Sequence, residues 1–341
     1  MNQQSKYVEV TDISFIEFSG PNPKLLDDLF KQMGFSAHQS ADQTFYNISD
    51  INFISNPTSG GSAAVFRAKH VRGASAMGFK VANSQQAFEL AVSLGAEPVE
   101  NADLGIPAIK GVGAALIYLV DDEHEAKLFA QYGYVKSRDQ FSNCSLSRVD
   151  HLTHNLHIGG VARMIHFYET IFGFSRIRKF DINGKKTGLI SEVVSSPNGR
   201  VVIPLNESKD DKSQIAEYLD EYNGEGIQHI ALLTDDIFDT VTTLKFNGIP
   251  FQDTLDTYYE QIDERLPGHG EDVAALHKEK ILIDGGESQG GGLLLQIFTK
   301  NSIGPIFFEF IERKGNKGFG EGNFQALFDS IELDQERRGV I

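Results

Sequence analysis

The chain has 341 residues, 40% of them hydrophobic and 23% charged, which suits two globular domains and excludes a disordered protein. Its formal net charge of −16 at pH 7 disfavours binding to the phosphate backbone of nucleic acids and to anionic membrane surfaces, which would repel the protein. A single cysteine, Cys144, excludes a disulfide framework and favours a reducing cytoplasm, and the longest apolar run, Ala114–Val120, is too short to span a bilayer.

The predicted elements begin with a unit that occurs twice. A strand-like run at Asp12–Phe18 precedes a helix-like run at Leu25–Phe35, which ends on Gly-Phe. The same order returns in "VDHLTHN" at Val149–Asn155 and "MIHFYETIFGF" at Met164–Phe174. Both halves of the chain therefore start with the same strand-helix unit.

A second pair of segments also repeats. Residues Ala74–Val99 and Gly226–Phe251 each contain an alternating strand, a polar helix cap, an amphipathic helix and a glycine stop. Strands joined by tight turns lie between these units, and Pro197, Asn198 and Gly199 form the clearest hairpin turn.

The chain thus contains four predicted strand-helix-strands modules, two per half, with a join near Val135–Arg148. This βαβββ order is typical of vicinal-oxygen-chelate (glyoxalase-like) proteins, in which paired modules form a half-open barrel around a metal. We expect an α+β fold of four βαβββ modules in two half-open barrel domains, at residues 9–138 and 148–341.

The two halves differ where such a barrel would hold its metal. Alignment of the repeats on their glycine stops places Ala76 opposite His229 and Phe15 near His151. The first half has apolar residues where the second half has histidines. We therefore expect the first half to be a scaffold without metal, and the second half to contain the site.

Three histidines at intervals of three compete for the first ligand position: His151, His154 and His157. Side chains alternate along a strand, so His151 and His154 point to opposite faces, and His157 falls where the strand ends. The repeat position selects His151. We expect solvated or capping roles for His154 and His157, whereas His229 lies among apolar neighbours and would need a partner.

A third ligand is predicted on a late strand of the same half. Glu309 is the acid of "PIFFEFIER", where a buried carboxylate needs a cation, and Ile117 lies roughly opposite it in the first half. Two histidines and a carboxylate form a facial triad with three open coordination positions, which fits Fe(II) or Mn(II) better than structural zinc. The alternative is a structural core with an odd ion pair.

The motifs of the second half resemble one family. In order, "VDHLTHN", "QHIAL", "LLLQIFTK", "PIFFEFIERKG" and "GFGEGNF" resemble 4-hydroxyphenylpyruvate dioxygenases over nearly all of Val149–Arg338. The resemblance implies one Fe(II) per subunit, held by His151, His229 and Glu309. It also implies that 4-hydroxyphenylpyruvate chelates this iron through its keto and carboxylate oxygens. Reaction with O2 as co-substrate would give homogentisate and CO2, in tyrosine and phenylalanine catabolism, without 2-oxoglutarate.

The same resemblance implies a set of substrate contacts. Polar side chains would orient the ring hydroxyl and the carboxylate: Ser191, Asn206, Gln214, Gln228 and Gln296. Aromatic side chains would form the pocket wall: Phe298, Phe307, Phe319 and Phe324. Strand parity gives Gln296 and Phe298 a shared face, whereas Gln228 should diverge from the adjacent His229 unless the strand twists or bulges. For each phenylalanine, plain core packing is the alternative.

The closing segment combines glycine hinges with a helix expected at about residues 320–338. Four apolar residues fall at i, i+3, i+4 and i+7 and predict one stripe facing the body: Phe324, Leu327, Phe328 and Ile331. Such a helix would act as a lid that keeps water from the iron site.

Three alternatives stay open. Hydroxymandelate synthase shares the substrate and the iron but hydroxylates the side chain, although Pro204, Asn206 and Phe324 match the homogentisate-forming kind. An extradiol catechol dioxygenase has the same fold and triad but does not need the "GFGEGNF" lid. A non-catalytic binding protein of this fold would be expected to lack a ligand.

The expected partners are a small-molecule substrate and further copies of the chain, in a dimer or tetramer, with no nucleic acid or membrane.

Overall fold

The computed structural model describes residues 6–135, 144–183, 188–210 and 213–339. The predicted join at 135–148 lies mostly outside these ranges. The described elements form two sheets of eight strands, one in each half of the chain.

The first half contains eight strands and four helices. The strands are β1 (Ile13–Ser19), β2 (Ser36–Ser40), β3 (Gln43–Ile48), β4 (Ile51–Ser55), β5 (Gly73–Lys80), β6 (Pro98–Val99), β7 (Ala108–Lys110) and β8 (Leu116–Val120). The helices are α1 (Pro23–Gln32), α2 (Gly61–His70), α3 (Ser84–Ser93) and α4 (Asp122–Gln131).

The second half repeats this order with additional short helices. The strands are β9 (Leu146–Leu156), β10 (Ser175–Asn183), β11 (Gly188–Ser195), β12 (Val202–Ser208), β13 (Gly226–Thr234), β14 (Leu282–Gly285), β15 (Leu293–Phe298) and β16 (Phe307–Lys314). The helices are α5 (Gly160–Phe172), α6 (Gln214–Glu221), α7 (Ile237–Phe246), α8 (Asp256–Glu260), α9 (Ile262–Arg265), α10 (Val273–Glu279) and α11 (Glu321–Arg337), with a 3-10 turn at Glu287–Gln289.

The two sheets have the same topology. The strand order is β2-β3-β4-β1-β5-β8-β7-β6 in the first and β10-β11-β12-β9-β13-β16-β15-β14 in the second. In each sheet two βαβββ modules meet at a central antiparallel pair, β1 with β5 or β9 with β13. The predicted vicinal-oxygen-chelate fold is confirmed.

Local sequence signals account for several element ends. The Asn22 side chain accepts a hydrogen bond from the Lys24 amide at the start of α1, and Pro23 occupies the first helical position. The predicted hairpin joins β11 to β12, and the Gly199 amide donates to the Ser196 carbonyl in its turn. These capping and turn residues place the ends of elements that long-range packing then stabilises.

One large hydrophobic core joins the two halves. Phe18 of the first sheet lies 6.4 Å from Phe308 of the second, and Phe79 lies 5.3 Å from Phe172, measured between ring centroids. A second cluster, which includes Phe15 and other aromatic residues, covers the opposite face of the first sheet. Among the described residues, no helix is long and apolar enough to cross a membrane.

Candidate metal centre

Three neighbouring strands of the second sheet bring the predicted ligands together. Register pairs His151 of β9 with Ala231 of β13, and Ala231 with Glu309 of β16. His229 lies two residues before Ala231 in β13. Residues paired across a sheet, and residues two apart along a strand, point to the same face. All three side chains therefore lie on one side of the sheet.

The ligand atoms of these side chains converge. Nε2 of His151 lies 3.3 Å from Nε2 of His229 and 3.2 Å from Oε2 of Glu309. Nε2 of His229 lies 3.5 Å from the same carboxylate oxygen. His151 and Glu309 are buried, and the His229 side chain is 14% exposed. The ligand atoms all lie within 4.8 Å of one another, a spacing that fits a metal ion.

The other two histidines of the segment lie elsewhere. His154 is fully buried on the opposite face of β9, and its Nε2 lies 2.9 Å from the Tyr168 hydroxyl of α5. The expected solvated or capping role of His154 is wrong, because α5 buries that face of the strand as well. Burial lowers the pKa of His154 to about 3, so its ring is neutral near pH 7. His157 is exposed just after β9, and its carbonyl accepts from the Gly160 amide at the start of α5.

Two β-bulges orient the histidine rings. In the β9–β13 ladder, Asp150 and Gln228 have no register partner. Oδ2 of Asp150 lies 2.9 Å from Nδ1 of His151, and Oε1 of Gln228 lies 2.6 Å from Nδ1 of His229. Each bulged residue thus accepts the Nδ1 proton of the histidine that follows it, which turns Nε2 towards the Glu309 carboxylate. The bulge is also the reason that Gln228 and His229 do not diverge.

The donor set favours a positive charge at the centre. With both Nδ1 atoms donating to Asp150 and Gln228, the two Nε2 atoms are turned to the Glu309 carboxylate, whose negative charge favours a cation between them. Burial lowers the pKa of His151, but Glu309 and Asp150 raise it overall to about 9. Burial and the nearby His151 hold the pKa of His229 well below its usual range. His151, His229 and Glu309 therefore suit a divalent metal.

The first sheet has different residues at the equivalent positions. Register pairs Phe15 with Gly78 and Gly78 with Tyr118, in the same pattern as His151, Ala231 and Glu309. The counterpart of Glu309 is thus Tyr118, and the expectation that Ile117 lies opposite it is wrong by one residue. Ile117 points to the other face of β8, into the core shared by both halves.

Three predicted aromatic residues surround the ligand group. The Phe307 ring stacks on the His229 ring at 5.1 Å with an interplanar angle of 12°, and Phe298 meets Phe307 edge-on at 5.9 Å. Phe319 meets His151 edge-on at 5.5 Å. These rings form an apolar wall on two sides of the centre, where they would exclude water.

Polar residues predicted from the resemblance lie on the same face. Oε1 of Glu309 accepts a hydrogen bond of 3.0 Å from Nε2 of the buried Gln296. Further along the sheet, Ser191 pairs with Asn206, and Asn206 pairs with Asn155. Oδ1 of Asn155 is buried without a hydrogen-bond partner among the described residues, so an acceptor is free there. Strand register thus places Ser191, Asn206 and Gln296 on the same face of the sheet as the predicted ligands.

Two residues that were predicted to contact substrate, Gln214 and Phe324, are exposed instead of buried beside the centre. Gln214 is exposed on the first turn of α6. Phe324 is 55% exposed and Ile331 is 46% exposed, so the expectation of an apolar stripe facing the body is wrong. The side chain of Phe328 lies outside the described ones.

The buried face of α11 is instead partly polar, with Asn323, Ala326 and Ser330 buried. Nδ2 of Asn323 donates to Gln296 at 3.0 Å, and its Oδ1 accepts from Tyr258 at 2.6 Å. These buried hydrogen bonds orient the helix, because breaking them would leave polar groups without partners.

Sequence reasoning missed four residues that contact the site. Asp150 accepts from His151, and the Thr153 hydroxyl lies 2.9 Å from Nε2 of His229. Arg313 binds Asp150, and Asn323 binds Gln296. A sequence signal for two of these residues was present. Asp150 is an acid directly before His151, and Arg313 is a base four residues after Glu309, and buried charges require partners.

Comparisons with known proteins match both halves of the chain to described families. Residues 6–135 match the family described as hydroxyphenylpyruvate dioxygenase, N-terminal, and residues 148–261 match the glyoxalase/bleomycin resistance protein/dioxygenase superfamily. A mutant of 4-hydroxymandelate synthase from Streptomyces coelicolor has a TM-score of 0.76 at 22% identity, with 96% of this chain and 99% of that one covered. Likeness at that identity shows the fold alone.

Curated relatives show the family. The 4-hydroxyphenylpyruvate dioxygenase of Legionella pneumophila (strain Corby) is 49% identical over 334 residues, covering 96% of this chain and 95% of that protein. The protein of the same name from Pseudomonas aeruginosa is 46% identical over 351 residues, covering 99% and 98%. The chain belongs to the 4-hydroxyphenylpyruvate dioxygenase family.

Proposed function

We propose that this protein converts 4-hydroxyphenylpyruvate and O2 to homogentisate and CO2. The observation that carries the proposal is the group of His151, His229 and Glu309, whose ligand atoms converge in a chain with near full-length relatives of that name. The first half of the chain, with no such group among its described residues, would act as a scaffold.

The metal is proposed to be Fe(II). Two imidazoles and one carboxylate, without thiolate, form the ligand set of non-haem Fe(II) oxygenases. Iron held there would supply three further coordination positions, enough for the two oxygens of an α-keto acid and for O2. Because the substrate carries its own keto acid, no 2-oxoglutarate is needed.

The side chains around the metal would orient the substrate. Phe298, Phe307 and Phe319 form an apolar wall on which the substrate ring can pack and from which water is excluded. Ser191 and Asn206 lie further along the same face of the sheet, where hydrogen bonds to the ring hydroxyl would set the direction of the ring.

The contacts of Gln228 and Gln296 favour a second task. Their side chains bind His229 and Glu309, so we propose that they hold ligands in place as well as meeting substrate. Gln214 and Phe324 are exposed, so their substrate contacts stay predictions that require movement of α6 and α11.

The main competing reaction is side-chain hydroxylation to hydroxymandelate. The likeness to hydroxymandelate synthase is one of fold alone, at 22% identity. The relatives at 46–49% identity bear the dioxygenase name, which favours homogentisate as the product. Because both reactions use one substrate and one metal, only the product separates them.

The test is product analysis with matched variants. Protein loaded anaerobically with Fe(II) is given 4-hydroxyphenylpyruvate and O2, and oxygen uptake, CO2 and homogentisate are measured. We expect equal amounts of all three without 2-oxoglutarate, loss of turnover in His151→Ala and Glu309→Gln, and normal turnover in the control His157→Ala. Hydroxymandelate as product, ring opening of a catechol, or a need for 2-oxoglutarate would contradict the proposal.

Assembly and location stay predictions. A homo-oligomer is expected, and light scattering of the purified protein measures the number of chains. A cytoplasmic location is expected from the single cysteine and is checked by fractionation of cells.

A further inference from the structure

A buried ion pair lies behind one of the proposed ligands. Asp150 is 5% exposed, and Oδ2 accepts the Nδ1 proton of His151 at 2.9 Å. Arg313 of β16 binds both oxygens of this carboxylate, with Nε 2.8 Å from Oδ1 and Nη2 2.7 Å from Oδ2. The carboxylate is therefore held in one orientation by a bidentate contact, and it holds the His151 ring in turn.

The same guanidinium also holds the segment that leads into α11. Nη1 of Arg313 donates to the carbonyl of Gly318 at 2.7 Å and to that of Asn316 at 3.3 Å. The guanidinium lies 5.6 Å from the ring centroid of Phe319, and that ring meets His151 edge-on. One side chain thus connects a proposed metal ligand to the segment before α11 by two routes, through Asp150 and through Phe319.

The arrangement at the second histidine provides a contrast. Gln228 accepts from Nδ1 of His229, but it is neutral and does not bridge to the lid through an arginine in the described part of the chain. A carboxylate and an arginine are not needed simply to orient an imidazole, since an amide does that at His229. The extra pair at His151 therefore points to a task beyond ring orientation.

We propose that Asp150 and Arg313 are positioning residues that couple the orientation of His151 to the placement of residues 316–319. The inference rests on the proposed metal site. When metal holds His151, the Asp150 carboxylate and the guanidinium are held as well, and the Gly318 carbonyl keeps its donor. Loss of the lid contact loosens Arg313, and with it the carboxylate that orients the ligand.

The experiment measures metal binding and lid protection, and it uses Co(II) as the metal. Co(II) affinity and its visible absorption report the ligand geometry, and amide hydrogen exchange of residues 316–322 is followed with and without Co(II). The variants are Arg313→Lys, which keeps the charge but not the fork, and Asp150→Asn. Lys314→Met is the control, since Lys314 neighbours Arg313 but pairs with Glu271 at 2.6 Å.

In wild-type protein we expect Co(II) to slow exchange in this segment. In both variants the protection should shrink at least tenfold, Co(II) should bind about 10- to 100-fold more weakly, and the absorption spectrum should change. The control should match wild type. A purely structural ion pair would lower stability but leave the protection caused by Co(II) intact.

The outcomes separate two kinds of failure. Variants that keep Co(II) affinity and protection within twofold of wild type would overturn the coupling alone, whereas wild-type protein that binds no Co(II) would overturn the metal site as well. If a single variant does not fold, the pair Asp150→Asn with Arg313→Gln removes both charges together and leaves neither buried charge unpaired. The same loss of protection is expected in that double variant.

Discussion

Substitution of Gly320 by alanine tests how the start of α11 is joined to the proposed metal centre. Gly320 caps α11 with φ of +74°, and a Cβ added there would lie 1.7 Å from Oε1 of Gln296. Gln296 is 3% exposed and bridges Glu309 and Asn323 through hydrogen bonds of 3.0 Å each. An alanine at this position therefore cannot fit unless the Gln296 amide moves.

The expected loss in the free energy of unfolding of Gly320→Ala has two parts. A positive φ in a residue other than glycine costs about 1–2 kcal/mol. Displacement of Gln296 loses a hydrogen bond to the Glu309 carboxylate, worth about 1.5–3 kcal/mol, and one to Asn323, worth about 0.5–1.5 kcal/mol. Gly199→Ala is the matched control, because Gly199 has φ of +71° and no atom within 4 Å of an added Cβ. The control should lose only the first part.

Urea unfolding of both variants measures the difference between their free energies of unfolding, which we expect to be about 2–4.5 kcal/mol. Gly320→Ala should also form less homogentisate for each O2 consumed, because the Gln296 bridge between lid and ligand is broken. Equal destabilisation of the two variants, together with a normal homogentisate yield from Gly320→Ala, would refute the proposed role of the bridge.

Three further outcomes are expected. Removal of residues 320–341 deletes no ligand, so a truncated protein shown to be folded by circular dichroism should bind Fe(II) but make little homogentisate. His154→Ala should lower the free energy of unfolding by about 2–4 kcal/mol yet retain metal, whereas His151→Ala should lose metal, as measured by urea unfolding and metal analysis. Burial outweighs the hydrogen bonds to Glu17 and raises its pKa to about 7 from 4.5, so the folded state favours the protonated acid. The free energy of unfolding, measured in urea, should then fall by about 2–3 kcal/mol between pH 5 and pH 8. Glu17→Gln should abolish that part of the pH dependence.

The module order and the convergence of His151, His229 and Glu309 were predictable from sequence, because hydrophobic period and comparison of the repeats indicate both. Alternation along a strand separates His151 from His154, and comparison of the two halves selects His151 and His229. These signals are local, or they compare one segment with another, so no knowledge of packing is needed.

The orientation of Asp150 was not predictable, because alternation assigns it to the face opposite His151. A bulge in the β9–β13 ladder overrides that rule, and a bulge depends on the pairing partner rather than on the strand itself. The prediction of which face of α11 is buried was wrong for a related reason. Helical period selects the apolar Phe324, but the hydrogen bonds of Asn323 to groups distant in sequence set the rotation of the helix.

The two halves show how one backbone can hold two different sets of interior side chains. In the first half Phe15 fills the space beside Gly78, where an added Cβ would lie 2.7 Å from the ring, and it packs on Tyr118 at 5.7 Å. Leu128 and Phe129 of α4, the helix that follows this sheet as α11 follows the other, join the same cluster. These packed rings fill the interior of the first half, and their contacts stabilise it. The second half has imidazoles and a carboxylate at these positions, and its last helix is held by hydrogen bonds of Gly322, Asn323 and Ser330 to groups outside the helix. Function therefore follows from which side chains face the interior, since strand order and register are the same in both halves.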